Sequence, residues 1–325
     1  MEYQLCAYEF VDNMGSPLVT IIVPLFNKEK YILATLRSIS DQTYRNWECI
    51  ISDDGSSDNS LLLVEQYISA TPGRWKITSQ INSGPASARN HGIKSAAGKY
   101  IALIDADDIW MTNKLEMQVG YLERNPEVSL LLSNYIIFNE SSLSDLRGIT
   151  AKNVIVQTRR WLDMRGFGGL VESTGILRRS SLTDDLFFDS TLITAEGLDF
   201  VIKWNLRKCV RILPNFLTLY RISDNQLHSN IELTAKNMLT LADRYQQKLS
   251  GTEKTLIRQN AYFALANMRN LRKSKILSRM LRNLVTLNFE IFSMAIWIIG
   301  RNLRAKFLPR STKKVAKEHL LRLNA

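Results

Sequence analysis

Two carboxylates separated by one residue, Asp105 and Asp107, are the side chains in this sequence best suited to hold a metal ion. They come at the end of Tyr100–Asp105, which reads as a buried strand, so both are expected where a strand passes into a loop. A hard cation such as Mg²⁺ or Mn²⁺ binds one or two carboxylates and completes its shell with phosphate and water. The pair predicts a diphosphate site, but two acids in a loop are also typical of a solvated surface.

Two further polar clusters follow predicted strands. Asn27 comes after the apolar run Leu18–Leu25, and the run Ser52-Asp53-Asp54-Gly55-Ser56-Ser57-Asp58 closes the strand Trp47–Asp53. The second cluster alone also fits a turn and a helix N-cap. Because ligands bind at the carboxyl ends of strands in parallel sheets, three clusters at one edge favour a binding site.

The elements that position these clusters alternate between strand and helix patterns, which predicts an α/β fold. The fold class is a mostly parallel, Rossmann-like sheet with helices on both faces, followed by a helical C-terminal tail. Predicted strands are Leu18–Leu25, Trp47–Asp53, Trp75–Ser79, Tyr100–Asp105 and Val128–Phe138, with extended segments at Leu170–Leu177 and Val210–Tyr220. Predicted helices are Glu29–Ser40, Asn59–Ala70, Pro85–Ala97, Thr112–Asn125, Glu196–Arg207 and most of the chain from Glu232 to Leu323.

Other phosphate and metal sites are disfavoured. The glycines of Gly92 and Gly98-Lys99 are separated by five residues, where a P-loop needs four, and Tyr100 takes the place of its Ser or Thr. The cysteines and histidines are few and scattered, which argues against a disulfide framework or a zinc site. They are Cys6, Cys49, Cys209, His91, His228 and His319.

Four motifs in one order carry a family resemblance. They are Val23-Pro24-Leu25-Phe26-Asn27-Lys28-Glu29, Ser52-Asp53-Asp54-Gly55-Ser56-Ser57-Asp58, Asn82-Ser83-Gly84-Pro85-Ala86-Ser87-Ala88-Arg89-Asn90 and Asp105-Ala106-Asp107-Asp108. Across residues 18–110 they resemble the signature of the family 2 glycosyltransferases with a GT-A fold, and a weaker match extends to about residue 225. The resemblance implies inverting transfer of a sugar from a nucleotide diphosphate sugar, UDP-sugar favoured, with Mn²⁺ or Mg²⁺ as cofactor.

The resemblance also implies donor-binding residues. They are Pro24, Phe26, Asn27 and Glu29 around the nucleotide, Asp54 near the base or ribose, Gly84 where the backbone approaches the ligand, Arg89 at the nucleotide, Asp105 at the ribose or metal, and Asp107 at the metal. Pro24, Phe26 and Gly84 also fit ordinary strand-end packing and turn geometry.

Inverting displacement needs a general base for the acceptor hydroxyl. Similar enzymes usually carry a Glu-Asp pair before a helix, with the Asp as base, and here the matching residues are Glu196 and Gly197. Glu196 and Asp199 share one face of the first helical turn, so Glu196 is the first candidate for the base and Asp199 the second. Both also fit as acids at a helix N-terminus.

The positive charge of the chain is concentrated in its last third. The sequence holds 42 basic and 31 acidic residues, a net charge of +11. Residues 231–325 hold 19 basic and 5 acidic residues, a net charge of +14, which leaves a net charge of −3 for residues 1–230. The apolar stretch Leu281–Gly300 is interrupted by Asn288 and Glu290, which disfavours a membrane span. Its basic flanks predict contact with an anionic membrane surface through residues 276–317. A helical appendage packed on the catalytic body or on a second copy is the alternative, and nucleic-acid binding ranks last.

These observations predict three regions: an N-terminal extension over residues 1–17, a catalytic domain over 18–230 and a basic helical region over 231–325. Within the catalytic domain, residues 18–110 form the nucleotide-sugar half and 111–230 the acceptor half. The start of the chain does not read as a secretion signal, so we expect a cytoplasmic protein, peripheral at the inner face of the cell membrane. The expected acceptor is lipid-linked or a saccharide in bacterial surface polysaccharide synthesis (O-antigen, capsule or exopolysaccharide). The alternative is a binding protein of the same fold that lacks its general base.

Overall fold

The computed structural model describes residues 15–139, 142–149, 172–222 and 231–251, with residues 254, 257, 258 and 261 beyond them. The strands are β1 (Val19–Leu25), β2 (Trp47–Asp53), β3 (Trp75–Ser79), β4 (Tyr100–Leu103), β5 (Ile109–Trp110), β6 (Val128–Asn139), β7 (Ser142–Ile149), β8 (Ile176–Arg178) and β9 (Cys209–Ile222). The helices are α1 (Ile32–Ser40), α2 (Ser60–Ala70), α3 (Pro85–Lys94), α4 (Lys114–Arg124), α5 (Glu196–Arg207) and α6 (Ile231–Arg244). Short 3₁₀ turns cover Glu172–Thr174, Arg179–Ser181 and Asp184–Leu186.

One sheet carries all of these strands, in the order β3-β2-β1-β4-β8-β6-β9-β5, and β7 pairs with β6. Strands β3, β2, β1 and β4 run parallel, as the β/α alternation predicts. Their register places Leu25 beside Asp53 and Asp53 beside Ser79, so three strands end level with one another. The backbone N–H of Ile104 donates to the carbonyl of Ile22, which brings the loop after β4 to the same edge.

The second half of the sheet mixes directions, which the sequence analysis did not predict. Strand β8 is antiparallel to β4 and β6, and β5 is antiparallel to β9. The predicted extended segment Leu170–Leu177 is also wrong at Glu172–Thr174, because the N–H of Gly175 donates to the carbonyl of Glu172 and closes a turn there. A strand of three residues carries too little periodicity to specify its own direction.

Helices cover both faces of the sheet, as predicted. The side chains of β1 alternate between two cores because successive residues of a strand point to opposite faces. Ile21 and Val23 pack with α1, α2 and α4, whereas Ile22 packs with α3 and α5. This sandwich fixes the strands from both sides and leaves the carboxyl ends of β1, β2 and β4 to carry polar loops.

Some element boundaries differ from the prediction. Helix α1 begins at Ile32 and not at Glu29, because residues 28–31 form a turn in which the N–H groups of Tyr31 and Ile32 donate to the carbonyl of Lys28. Helix α6 confirms helical structure at the start of the basic region. Within the described residues, no helix is both long and apolar enough to cross a membrane. The segment 276–317 lies outside those residues, so its membrane contact stays a prediction, as do the domain boundaries.

Gly98 fits the fold only because it has no side chain. A Cβ at this position would lie 2.6 Å from the backbone nitrogen of Thr20, 2.7 Å from the carbonyl oxygen of Leu18 and 2.8 Å from that of Tyr100. We expect Gly98→Ala to lower the free energy of unfolding by about 2–3 kcal/mol, because the backbone of two strands must move. Urea denaturation followed by circular dichroism measures the change.

Gly120 provides the matched control, since it lies inside α4 and its added Cβ would meet only the flexible Arg124 side chain, at 3.5 Å. Gly120→Ala should raise the free energy of unfolding by about 0.5–1 kcal/mol through helix propensity. Equal stabilities for the two variants would contradict the claim that a side chain at position 98 forces the backbone of the neighbouring strands to move.

Candidate active site

The loops after β1 and β2 are tied together by Asn27. This residue has a φ of +50°, and its Oδ1 accepts hydrogen bonds from the backbone N–H groups of Ser57 at 2.8 Å and Asp58 at 3.3 Å. Glu29 adds a second tie, since its Oε2 accepts from the backbone and side-chain nitrogens of Asn59, both at 3.1 Å. Beside this junction the Phe26 side chain is exposed. The three predicted nucleotide-site residues therefore lie together at the end of β1, and Pro24 precedes them within the strand.

Asp54 holds the turn that precedes α3. Its two carboxylate oxygens accept from the backbone N–H groups of Ser83 and Gly84, each at 2.8 Å, and from the side-chain nitrogen of Gln80 at 2.7 Å. Gly84 is the N-cap of α3 and has a φ of +88°, a conformation that favours glycine. The structure thus explains both residue types by loop geometry, and a direct contact of Asp54 with a base or ribose stays a prediction.

Arg89 on α3 joins the two halves of the chain. Its guanidinium pairs with Asp105 at 2.7 Å and with Glu196 at 3.1 Å, although Glu196 lies more than 100 residues further along. Only 4% of Arg89 is exposed, and its Cζ lies 5.3 Å from the ring centroid of Phe188. Burial alone would lower the pKa of Arg89, but Asp105, Glu172 and Glu196 raise it above its ordinary value. The guanidinium is therefore a fixed positive charge inside the site.

Asp107 pairs with a lysine from the β1 loop. The Nζ of Lys28 lies 2.5 Å from Oδ2 of Asp107. Burial lowers the pKa of Lys28, but the charge of Asp107 and its hydrogen bond, helped by Asp105 and Asp108, raise the pKa above its ordinary value. The loop after β4 therefore attracts cations strongly, and a flexible lysine is the cation it holds here.

Asp108 is a buried support for this loop. Its Oδ1 accepts from the backbone N–H of Arg221 at 3.0 Å, and its Oδ2 accepts from the hydroxyl of Ser173. Burial, together with the charges of Asp107 and Asp105, raises the pKa of Asp108 well above its ordinary value. The guanidinium Nε of Arg221 donates to the carbonyl of Asp107 at 2.7 Å. These bonds fix the backbone that presents Asp105 and Asp107.

Glu172 is a further acidic side chain of the cluster, and no motif in the sequence predicted it. Burial raises its pKa to about 8; Arg89 acts in the opposite direction, and Asp105 and Glu196 raise it further. A Cβ placed on Gly197 would lie only 1.7 Å from Oε1 of Glu172. The carboxyl group of Glu172 thus occupies the space beside Gly197, at the start of α5.

Asp199 belongs to a different network. It is fully buried and contacts Lys203 at 2.9 Å, Arg244 at 3.3 Å and the hydroxyl of Tyr245 at 2.7 Å. Lys203 lies on α5, Arg244 is the last residue of α6 and Tyr245 follows it. Asp199 therefore joins the two helices. Of the two predicted base candidates, the structure brings Glu196 into the cluster around Arg89 and places Asp199 in this separate network.

The donor set of the loop after β4 fits a divalent cation. Asp107 and Asp105 offer carboxylate oxygens, with side-chain exposures of 8% and 23%, and the charge they present already holds a lysine ammonium. Mg²⁺ and Mn²⁺ need only one or two protein carboxylates when a phosphate supplies further oxygens. Among the described residues no group of three or more His, Cys, Asp or Glu side chains could hold a metal without such help.

The sequence of the chain is similar to known glycosyltransferases. Residues 20–185, just over half of the chain, match the sequence model of glycosyl transferase family 2. TuaG of Bacillus subtilis, named for teichuronic acid biosynthesis, is 39% identical over 232 residues, which are 68% of this chain and 85% of TuaG. WfgD of Escherichia coli, a UDP-Glc:alpha-D-GlcNAc-diphosphoundecaprenol beta-1,3-glucosyltransferase, is 42% identical over 131 residues. That match covers 40% of this chain and half the length of WfgD.

A solved structure shares the fold. The crystal structure of S. aureus TarS 1-349 in complex with UDP-GlcNAc superposes with a TM-score of 0.57 at 21% sequence identity, over 76% of this chain and 72% of that one. This likeness supports the GT-A architecture that the sequence predicts, and at this identity it shows the fold alone. From the family match over residues 20–185 and the extent of the similarity to TuaG, the chain belongs to glycosyl transferase family 2.

Proposed function

We propose that this protein transfers a sugar, with inversion, from a nucleotide diphosphate sugar to a hydroxyl of a lipid-linked or saccharide acceptor. The observation that carries the proposal is the cluster of Arg89, Asp105, Glu196 and Asp107 at the carboxyl ends of the parallel strands. It combines a fixed cation, a carboxylate pair able to hold a metal, and further carboxyl groups beside them. Such a set suits a reaction in which a diphosphate leaves and a hydroxyl loses its proton.

The donor side of the site is formed by residues 18–110. We assign Pro24, Phe26, Asn27 and Glu29 to the nucleotide pocket, supported by the ties that Asn27 and Glu29 make to the neighbouring loop. Asp54 and Gly84 shape the turn on which the base or ribose would lie. Arg89 is buried, so its proposed role is to hold Asp105 and Glu196 in position and to supply positive charge near the nucleotide.

The transfer breaks the bond between the anomeric carbon and the diphosphate oxygen and forms a bond from that carbon to the acceptor oxygen. The acceptor hydroxyl gives its proton to a carboxylate of the site, and the nucleoside diphosphate leaves with the bonding electron pair. A divalent metal held by Asp107, with Asp105 beside it, would neutralise the charge of the leaving diphosphate.

The acceptor and the location are proposed from two sources. The WfgD name specifies a diphosphoundecaprenol-linked GlcNAc acceptor for that protein, and TuaG is named for teichuronic acid biosynthesis. The net charge of +14 in residues 231–325 suits contact with an anionic membrane surface at the inner face of the cell membrane. We therefore propose a role in bacterial surface polysaccharide assembly, with a lipid-linked acceptor favoured.

A donor panel tests the function. The full chain is incubated with UDP-, GDP- and dTDP-sugars and a synthetic GlcNAc-diphosphate lipid in the presence of Mn²⁺ or Mg²⁺. Nucleoside diphosphate release is measured alongside the thermal shift. We expect saturable release with a UDP-sugar and loss of release when EDTA removes the metal. Absence of release for every donor would contradict the proposal, and a thermal shift without release would favour the binding-protein alternative.

A further inference from the structure

The acidic side chains of the site differ in their partners. Asp105 and Glu196 pair with Arg89, and Asp107 pairs with Lys28. Within the part of the chain that the structure describes, Glu172 forms no ion pair. The charge of Arg89 also acts on Glu172, but Asp105, Asp107 and Glu196 are each in direct contact with a cation. Asp108 is fully buried and bonded to the Ser173 hydroxyl and the Arg221 N–H. Glu172 is therefore the carboxyl group of the site best placed to exchange a proton.

The space around Gly197 gives a second, independent observation. The carboxyl group of Glu172 lies where a side chain at position 197 would begin, so a larger residue there would have to displace it. Because Gly197 on α5 has no side chain, the space beside it is open. The carboxyl group of Glu172, from the turn before β8, fills that space. Although Gly197 stands where similar enzymes carry an Asp, a carboxyl group is still present at this point, supplied by Glu172.

Glu172 sits on rigid backbone. The next residue, Ser173, accepts the N–H of Asp105 on its hydroxyl at 2.9 Å, and its carbonyl accepts from Trp110 Nε1 at 2.7 Å and from the Thr218 hydroxyl at 3.0 Å. The Ser173 hydroxyl donates in turn to buried Asp108. The backbone of Glu172 is therefore held against the loop that presents Asp105, and the residue keeps partial exposure to solvent.

We propose that Glu172 is the general base of the transfer, an assignment that rests on the proposed function. One carboxylate oxygen of Glu172 takes the proton of the acceptor hydroxyl as the acceptor oxygen bonds to the anomeric carbon and the nucleoside diphosphate leaves. Glu196 then serves as the counter-ion that positions Arg89. Charged groups that face Glu172 are Arg89 from α3, Asp105 from the loop after β4, and Glu196 from α5.

The test compares three Glu→Gln variants of the full chain: Glu172→Gln, Glu196→Gln and, as a control on the exposed face of α2, Glu65→Gln. Turnover is measured with Mn²⁺, a synthetic GlcNAc-diphosphate lipid and the most active nucleotide sugar of the donor panel; calorimetry gives the donor Kd. Glu172→Gln should lower kcat by about 10²–10⁴-fold. Its donor Kd should stay within about threefold of wild type, because the donor contacts remain. Glu65→Gln should match wild type in both.

A carboxylate swap separates a catalytic role from a structural one. Glu172→Ala opens the space beside Gly197, and adding Gly197→Asp should recover at least about tenfold of the lost turnover. Gly197→Asp alone should lower the melting temperature, whereas the double variant should not, because the collision is gone.

Two results would overturn the assignment: wild-type turnover in Glu172→Gln, or a fall in turnover caused only by weaker donor binding. If Glu196→Gln abolishes turnover while Glu172→Gln retains it, Glu196 is the base. If wild type releases no nucleotide from any donor, the proposed function itself fails.

Discussion

Replacing Asp107 by Asn should reduce sugar transfer by about 10²–10³-fold or more while the protein stays folded. Asp107 is the carboxylate that we assign to the metal, and the ammonium of Lys28 at 2.5 Å shows that its position attracts a cation. The amide keeps the shape of the side chain but removes the charge that would hold Mn²⁺ against the donor diphosphate. The measurements are nucleoside diphosphate release and calorimetric titration of the donor with and without Mn²⁺.

Donor binding distinguishes this loss from misfolding. In wild type, Mn²⁺ should strengthen donor binding, and in Asp107→Asn this gain should largely disappear. Asp184→Asn serves as the control because Asp184 is exposed on a 3₁₀ turn. An Asp107→Asn protein with wild-type turnover and wild-type Mn²⁺ dependence would remove Asp107 from the metal site.

Arg89→Met should lower the free energy of unfolding by about 3–5 kcal/mol, because it leaves buried carboxylates without their cation. Arg89 is 4% exposed, and its two ion pairs join α3, the loop after β4 and the start of α5. Methionine fills much of the same volume as arginine, so only a small cavity forms. The loss of the two ion pairs would therefore account for most of the change in the free energy of unfolding. Urea denaturation measures stability, and turnover should fall together with it.

Arg74→Met is the matched control. Arg74 is exposed and donates one hydrogen bond to the side chain of Asn46 at 3.0 Å. Its replacement should change the free energy of unfolding by less than about 0.5 kcal/mol. If the two variants were equally stable, the Arg89 ion pairs would contribute nothing net to the fold.

The fold of residues 18–110 follows closely from the sequence. Strand patterns with strong apolar periodicity predict β1 to β4, and the bounds of β2 and β3 match the structure at both ends. Because parallel strands end at one edge, the clusters at Asn27, Asp54 and Asp105 could be placed there together from sequence alone. The contacts that join these loops lie within residues 18–110, so strand patterns over one short stretch of the chain are enough to predict their placement.

The fold after residue 110 depends on long-range strand pairing that periodicity does not encode. Glu172 lies between Gly169 and the short strand β8, with no acidic neighbour and no helical pattern to mark it. Lys28 reads as an ordinary loop lysine until the fold brings it to Asp107. The signal that was present in the sequence was the glycine at position 197, which implied a missing carboxylate but not its replacement from the turn before β8.

The anomeric configuration of the product tests the central claim most directly. The full chain is supplied with Mn²⁺, a UDP-α-sugar and a synthetic GlcNAc-diphosphate lipid, and the new linkage is assigned by the proton coupling constant of its anomeric hydrogen. A single displacement assisted by one carboxylate base predicts a β linkage, inverted relative to the donor. An α linkage would contradict the inverting mechanism and the role of general base that we assign to Glu172.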